Sequence, residues 1–168
     1  MHSGCCASDF FRNAGNAMAD DIETLLERTR IIEVITRLFV GTDNRDWEQV
    51  KGCFSPRVLF DMSSMGAGAP KELGPDDIVA MWDAGLKPLQ AVHHQVGNFL
   101  VEVNGKKADA FCYGIASHFL PNNSGDNTRA FVGSYDFSLV RDGGDWLISK
   151  FRFNLKYIDG NRDLEGAG

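Results

Sequence analysis

Four successive segments with the composition of β-strands fill the second half of the chain and restrict its fold most strongly. Val, Phe, Tyr and Ile dominate these segments, which cover residues 91–103, 107–120, 130–141 and 145–157. Asn-Gly at 104–105 follows the first segment, and Asp-Gly-Gly at 142–144 precedes the last. Both sequences are typical of tight β-hairpin turns, so the pattern predicts an antiparallel meander.

The first half of the chain has helical patterning instead. Apolar residues recur every three to four positions from 20 to about 40, and Gly41 is expected to end this first helix. A short second helix is predicted up to Pro56, followed by a strand at 58–61, and Pro75 begins a third helix. Helices followed by strands predict the α+β class. We expect a cone-shaped barrel in which three N-terminal helices pack on a strongly curved mixed, mainly antiparallel sheet.

The chain length of 168 residues fits one globular domain. We assign this domain to residues 20–157, with a flexible arm at 1–19 and a frayed tail at 158–168. Gly114 and Gly133 interrupt strand patterns and indicate bulges or sharp bends. A strongly bent sheet under three helices would enclose an apolar cavity.

The strand predicted at 107–120 indicates that both faces of the sheet are covered. Nearly every position from 111 to 120 is apolar or small, which is typical of a strand without a solvent-exposed face. Helices can cover one face, and a second copy of the chain would cover the other. We therefore expect a homodimer or homotrimer.

Composition excludes several classes of protein. The chain has 17 basic and 23 acidic side chains, a net charge of −6, which argues against a nucleic-acid partner. No apolar run approaches the ~18–20 residues of a membrane span, so no membrane partner is expected. Cys53 and Cys112 lie among apolar residues without metal-ligand spacing. Residues 1–19 lack the pattern of a secretory signal, and we expect a cytoplasmic protein.

A few polar side chains interrupt the apolar segments and are candidates for catalysis. Asp43 lies at the expected end of the first helix, where the helix dipole disfavours a carboxylate; alternatively, it caps the second helix. His93 and His94 are adjacent on a strand and point to opposite faces, so at most one reaches a cavity. His118 lies on the next strand. A carboxylate–imidazole pair is sufficient for general acid–base catalysis, whereas the alternative is that these histidines are structural.

Other polar and aromatic residues are candidates for binding a substrate. We expect Arg129 and Tyr113 to make ordinary strand hydrogen bonds. No metal ion is expected, because no His-x-His or His-x-x-x-His spacing is present. The substrate-binding candidates are Asn98, Tyr135, Trp82, Phe60, Phe131 and Phe153.

Five segments, in order, resemble the SnoaL-like group of the nuclear transport factor 2-like superfamily, which includes scytalone dehydratase. They are Leu-Phe-Val-Gly-Thr-Asp-Asn-Arg-Asp-Trp (38–47), Cys-Phe-Ser-Pro-Arg-Val-Leu-Phe-Asp (53–61), Gly-Pro-Asp-Asp-Ile (74–78), His-Gln-Val-Gly-Asn (94–98) and Gly-Gly-Asp-Trp-Leu-Ile (143–148). The resemblance covers about residues 20–157 and implies the same cone fold.

The resemblance also implies roles for individual residues. In scytalone dehydratase-like members, an aspartate after the first helix and two strand histidines act without a cofactor, and Asp43, His94 and His118 match those positions. Thr42 replaces the tyrosine that the family has beside the aspartate. Related members isomerise steroids, cyclise polyketides or hydrolyse epoxides, and many have no activity.

Two functions follow as hypotheses. The first is a cofactor-independent dehydratase, isomerase or cyclase for a small apolar polyketide-, aromatic- or steroid-like substrate. In it, His94, oriented by Asp43, abstracts a proton, and His118 protonates a leaving hydroxyl or stabilises an enolate. The second is a non-catalytic ligand-binding or oligomer-forming module of the same fold, such as the small subunit of a ring-hydroxylating oxygenase.

Overall fold

The computed structural model describes the backbone of residues 7–123 and 125–166, with side chains from residue 21 onward. These residues contain three α-helices and six β-strands, and all three helices precede the last four strands, which are consecutive. A single 3-10 turn, Ser63–Met65, follows the first strand. The elements are α1 (Ala7–Asn44), α2 (Trp47–Gly52), β1 (Phe54–Asp61), β2 (Lys71–Leu73), α3 (Pro75–Leu86), β3 (Ala91–Asn104), β4 (Lys107–Phe119), β5 (Thr128–Asp142) and β6 (Asp145–Gly160).

The six strands form one mixed sheet in the order β2-β1-β6-β5-β4-β3. β1 pairs with β6 in parallel, and every other neighbouring pair is antiparallel. Gly105 and Gly143 occupy the hairpin turns with φ of +60° and +61°, a conformation that glycine adopts without steric cost. The predicted α+β class and the meander are therefore confirmed, with an open rather than closed sheet.

The end of α1 differs from the prediction that Gly41 ends it. The helix continues to Asn44, and Arg45 ends it in the left-handed conformation with φ of +56°. Asp46 then donates its backbone N–H to Gly41 O at 2.8 Å, and Arg45 donates to Thr42 O at 3.1 Å, which is a Schellman arrangement. The absence of a side chain at Gly41 allows α2 to approach, since a Cβ there would lie 3.0 Å from Val50.

β1 begins at Phe54, before the predicted strand at 58–61, and it contains Pro56. Ile148 N donates to Cys53 O at 2.9 Å, and Phe54 pairs with Ile148 of β6. The pairing with β6 is irregular between Phe54 and Leu59, so a residue without an N–H fits there. Pro56 therefore does not end α2, which has already ended at Gly52.

Both termini are more ordered than predicted in the part of the chain that the structure describes. α1 begins at Ala7, so residues 7–19 of the predicted flexible arm have a helical backbone, and residues 1–6 lie outside the described residues. In the predicted tail, β6 continues to Gly160, and Leu164 is fully buried against Leu89 and Val92. Burial of an apolar side chain provides the stabilisation that the composition of the tail did not indicate.

A buried carboxylate fixes α1 to the sheet. Glu27 accepts a hydrogen bond from Trp146 Nε1 at 2.6 Å and pairs with Arg141 at 3.1 Å. The Trp146 hydrogen bond and the nearby Arg141 and Arg30 charges hold the pKa of Glu27 below its usual value. Ile31, Ile35 and Leu38 continue this buried face of α1. These contacts set the position of the last turn of α1 over the sheet.

No helix in the described residues is both long and apolar enough to cross a lipid bilayer.

Candidate active site

A cavity of about 230 Å³ lies between the inner face of the sheet, the end of α1, α3 and the 3-10 turn. Aromatic and methionine side chains make up most of its wall. Its polar groups are the side chains of Thr42, His94, His118 and Tyr135. A mainly apolar cavity with a few convergent polar groups is the usual form of a small-molecule site.

Asp43 and His94 form a hydrogen-bonded pair at this cavity. Asp43 Oδ1 lies 2.6 Å from His94 Nδ1, and Asp43 Oδ2 accepts the backbone N–H of His94 at 2.8 Å. Only 16% of the Asp43 side chain and 12% of the His94 side chain are exposed, and Phe39 stacks on the imidazole with ring centres 5.0 Å apart. Because a carboxylate accepts hydrogen bonds, His94 Nδ1 carries a proton, so in the neutral form of the imidazole the lone pair is on Nε2.

The alternative prediction, that Asp43 caps the second helix, is wrong. Asp46 is the N-cap of α2, since its side chain accepts the backbone N–H of Gln49 at 3.1 Å. His93 lies on the opposite face of β3 with 74% of its side chain exposed, although its Nδ1 is 3.6 Å from Asp43 Oδ2. Of the two adjacent histidines, the cavity thus includes His94.

His118 lies on the same face of the neighbouring strand. His94 pairs with Ala116 of β4, and His118 is two residues further along, so the two histidines are diagonal neighbours, with backbones about 7–8 Å apart. Arg129 Nη2 lies 3.2 Å from His118 Nδ1. Burial, followed by the charge of Arg129, lowers the pKa of His118 to about 4.

The two histidines consequently have opposite hydrogen-bonding character. A guanidinium can only donate, so His118 Nδ1 accepts and its Nε2 carries the proton. His94 has the reverse arrangement, with the proton on Nδ1. The cavity therefore combines a proton acceptor, His94 Nε2, and a neutral donor, His118 Nε2–H, which is a combination suited to acid–base chemistry.

Tyr135 contributes a second donor to the cavity. Its ring packs against Phe39 and Phe153, each with ring centres 4.8 Å apart. Burial raises the pKa of Tyr135 well above its usual value, so the hydroxyl keeps its proton. That hydroxyl makes no hydrogen bond with any residue that the structure describes, and it is available to a ligand.

Five of the six predicted substrate-binding residues lie at the cavity or directly behind it. Tyr135, Trp82, Phe131 and Phe153 line the cavity. Phe60 packs behind it, stacked on Phe151 with ring centres 5.2 Å apart.

Asn98 is separate from the cavity. It has φ of +58° and lies where the pairing of β3 with β4 shifts between Gly97 and Leu100. It faces a groove that Tyr113 also lines, rather than the cavity. Strict alternation along β3 would place Asn98 on the same face as His94, and the irregular pairing interrupts that alternation.

Two residues beside His118 were not predicted as part of a site. Arg129 was expected to make ordinary strand hydrogen bonds, but its guanidinium contacts His118 and Glu165. Arg129 lies directly opposite His118 in the β4–β5 pairing, so a correct prediction of the strand register would have indicated this contact. Glu165 lies in the predicted frayed tail, and no local sequence feature indicates its contact.

Within residues 7–123 and 125–166, no three His, Cys, Asp or Glu side chains are grouped so as to hold a metal ion. Burial raises the pKa of Cys53 to about 11 and that of Cys112 to about 12. Both thiols therefore remain protonated near neutral pH, which argues against a cysteine nucleophile.

The family model for the SnoaL-like domain matches residues 23–152. The chain belongs to the SnoaL-like domain family. The match begins within α1 and ends within β6, and it includes every residue that lines the cavity except Phe153. No curated protein matches the sequence at a significant level.

Solved structures with the same fold resemble this SnoaL-like protein over most of its length. The Kfla4162 protein from Kribbella flavida is 23% identical, with a TM-score of 0.80, over 86% of this chain and 99% of its own. Hexachlorocyclohexane dehydrochlorinase LinA-type3 from Novosphingobium barchaimii LL02 is 18% identical, with a TM-score of 0.69, over 84% and 94%. A candidate scytalone dehydratase from Novosphingobium aromaticivorans is 14% identical, with a TM-score of 0.72, over 83% and 90%. At these identities the likeness establishes the fold.

Proposed function

We propose that this SnoaL-like protein is an acid–base lyase or isomerase that removes a proton from carbon in a small apolar substrate. The observation that carries the proposal is the 2.6 Å contact between Asp43 and His94 at the wall of an apolar cavity. The pair leaves His94 Nε2 as the available base. Asp43 fixes the tautomer of His94 and stabilises the imidazolium that forms when the proton arrives.

His118 and Tyr135 are the proposed donors to the substrate. As the C–H electron pair moves toward a carbonyl oxygen or expels a leaving group, negative charge develops on that oxygen or leaving atom. In a loss of water, the His94 imidazolium then returns the abstracted proton to the departing hydroxide, which leaves as water and restores the neutral base. A neutral His118 Nε2–H and the Tyr135 hydroxyl can each donate a hydrogen bond to the oxygen or leaving atom. The low pKa of His118 favours this stabilising role over the other role considered, full protonation of a leaving hydroxyl.

The cavity indicates the class of substrate. Its volume of about 230 Å³ and its aromatic and methionine wall suit a compact apolar molecule with one acceptor group. Two structural neighbours have names that denote eliminations, a dehydrochlorinase and a candidate scytalone dehydratase. They favour elimination over isomerisation or cyclisation as the first reaction to test. The proposed proton transfer uses side chains alone and calls for no cofactor.

The experiment first finds ligands and then tests for proton abstraction. Trp82 lines the cavity, so quenching of tryptophan fluorescence identifies binders among cyclic ketones, β-hydroxyketones and halogenated cyclohexanes. Each binder is then incubated with the protein in D2O, and mass spectrometry detects deuterium incorporation or loss of water or hydrogen halide. We expect at least one binder to exchange or eliminate.

Matched variants assign the reaction to the proposed pair. Asp43→Asn keeps the shape of the side chain and removes its charge, and His94→Gln removes the base. We expect each to reduce the rate by about 10²–10⁴-fold with little change in ligand affinity. Asp46→Asn is the control, because Asn is an equally good helix cap and Asp46 is outside the cavity. Binders that neither exchange nor eliminate with the wild type would contradict catalysis and support the ligand-binding alternative.

A further inference from the structure

An ion pair between Arg129 and Glu165 lies directly behind His118, on the side away from His94. Arg129 of β5 and Glu165 of the C-terminal segment form a bidentate ion pair. Arg129 Nη1 donates to Glu165 Oε2 at 2.8 Å, and Nη2 donates to Oε1 at 2.5 Å. Nη2 also lies 3.2 Å from His118 Nδ1, and only 12% of the Arg129 side chain is exposed. The guanidinium plane packs against Phe131, 5.1 Å from the ring centre. Arg129 is therefore held on three sides.

The contacts of the C-terminal segment, defined here as residues 161–166, place Glu165 beside Arg129. Gly160, the last residue of β6, has φ of +78°, and a Cβ there would lie 2.4 Å from Thr128 O. Asn161 N then donates to Thr128 O at 2.8 Å, beside Arg129. Leu164 is buried against Leu89 and Val92, with Leu86 at the edge of the same cluster. Since Leu86 also lines the cavity, the segment packs against the wall of the candidate site.

The chemistry of this contact permits only one state of His118. Arg129 is permanently charged and has no acceptor, so the proton-free nitrogen of His118 must face it. Protonation at both ring nitrogens would place two cations in contact. Glu165 supplies the negative charge that allows the buried guanidinium to remain in place, because an unpaired buried charge is strongly disfavoured. The other charged or titratable groups that act on His118 are His94 and Asp43.

We infer that Arg129 and Glu165 are positioning residues that hold His118 as an Nε2–H donor for the acceptor atom of the substrate, so that the C-terminal segment completes the site. This inference rests on the proposed function for its consequence in catalysis. The tautomer itself does not depend on that function. Its measurement therefore separates a failure of this inference from a failure of the proposed reaction.

Nuclear magnetic resonance of ¹⁵N-histidine-labelled protein tests the inference without a substrate. Long-range ¹H–¹⁵N spectra distinguish protonated from proton-free ring nitrogens, and His118→Gln identifies the signals of His118. In the wild type we expect His118 with a proton-free Nδ1 and a protonated Nε2. His118 with a protonated Nδ1 would overturn the inference, whatever the activity of the protein.

Variants of the ion pair test its control over the tautomer. Arg129→Leu removes the donor and should give His118 signals averaged between the two tautomers, whereas Arg129→Lys, which still only donates, should retain the Nε2–H form. Glu165→Gln removes the charge that holds Arg129, so the His118 signals should move toward the averaged values expected for Arg129→Leu. This second variant tests the inference even if Arg129→Leu does not fold. Glu72→Gln, at the exposed Arg57–Glu72 pair, is the control. Unchanged His118 signals in both Arg129→Leu and Glu165→Gln would overturn the inference.

With a substrate in hand, the same variants have a kinetic signature. Loss of a correctly oriented donor weakens the transition state more than the bound substrate. Arg129→Leu and Glu165→Gln should then lower kcat by about tenfold or more with little change in KM, and Arg129→Lys should restore part of kcat. A rise in KM alone would instead indicate that the C-terminal segment only shapes the cavity.

Discussion

At the scale of single residues, two histidines on one face of the sheet differ because each has a different neighbour at Nδ1. The carboxylate of Asp43 makes His94 a base, and the guanidinium of Arg129 makes His118 a donor. The sequence supports prediction of the first relationship, because Asp43 stands out as a carboxylate near a helix C-terminus. The second depends on strand register and on Glu165, 36 residues from Arg129 along the chain, and no local pattern encodes that contact.

The buried His118 predicts a specific dependence of stability on pH. Its pKa is lowered to about 4 in the folded protein, compared with ~6.5 for an unperturbed histidine. Between these values the unfolded chain binds a proton that the folded protein does not, so the free energy of unfolding increases with pH. We expect the wild type to lose up to about 3 kcal/mol as the pH falls from about 6.5 to about 4.

Urea denaturation at a series of pH values across this window measures the effect. His118→Gln should show a shallower decline, because its unfolded state no longer takes up the extra proton. His93→Gln, at an exposed position on the same sheet, is the control for loss of a histidine. An equally steep decline in His118→Gln would show that other groups cause the pH dependence.

At the scale of elements, the strands rich in Val, Phe, Tyr and Ile and the hairpin turns between them allow β3 to β6 to be predicted, whereas β1 and the chain ends depend on tertiary contacts. Pro56 indicated a helix end, but pairing of Phe54 with β6 determines where β1 starts. Gly41 indicated a helix stop, but packing of α2 requires a glycine there. At both positions the local sequence predicts the end of a helix, whereas a contact with a separate element explains why the residue is there.

The bends of the sheet provide a prediction at this scale. The pairing of β5 with β6 shifts at Gly133, where a Cβ would lie 2.3 Å from Asn154 O and 2.8 Å from the Phe153 ring. Because backbone cannot move away as a flexible side chain does, Gly133→Ala should lower the free energy of unfolding by about 1–3 kcal/mol. Phe153 lines the cavity, so ligand binding should weaken as well.

Gly97 of β3 is the matched control for Gly133. A Cβ at Gly97 meets nothing within 4 Å, and alanine restricts the unfolded chain. Gly97→Ala should therefore be neutral or stabilise the protein by about 0.4–1 kcal/mol. Urea denaturation of both variants compares them directly, and equal destabilisation would contradict a steric requirement for glycine at Gly133.

At the scale of the whole molecule, two apolar surfaces lack a covering element in the described chain. α1 has 38 residues and is about 57 Å long. Its early apolar positions Ile22, Leu25 and Leu26 are 57%, 63% and 51% exposed. On the outer face of the sheet, Tyr113 and Ile115 are 46% and 40% exposed. Exposed apolar clusters of this kind are characteristic of protein–protein contacts.

These surfaces support the prediction of a homodimer or homotrimer, which sedimentation velocity measures directly. Ile115→Lys places a charge on the outer sheet face beside Tyr113, where desolvating it in an interface should weaken association at least tenfold, or about 1.4 kcal/mol. Lys87→Glu also changes a charge, but at the end of α3 in the helical layer, and should leave association unchanged. A wild type that sediments as a monomer would contradict the prediction. Dissociation by both variants would indicate a general effect of charge rather than a contact through the sheet.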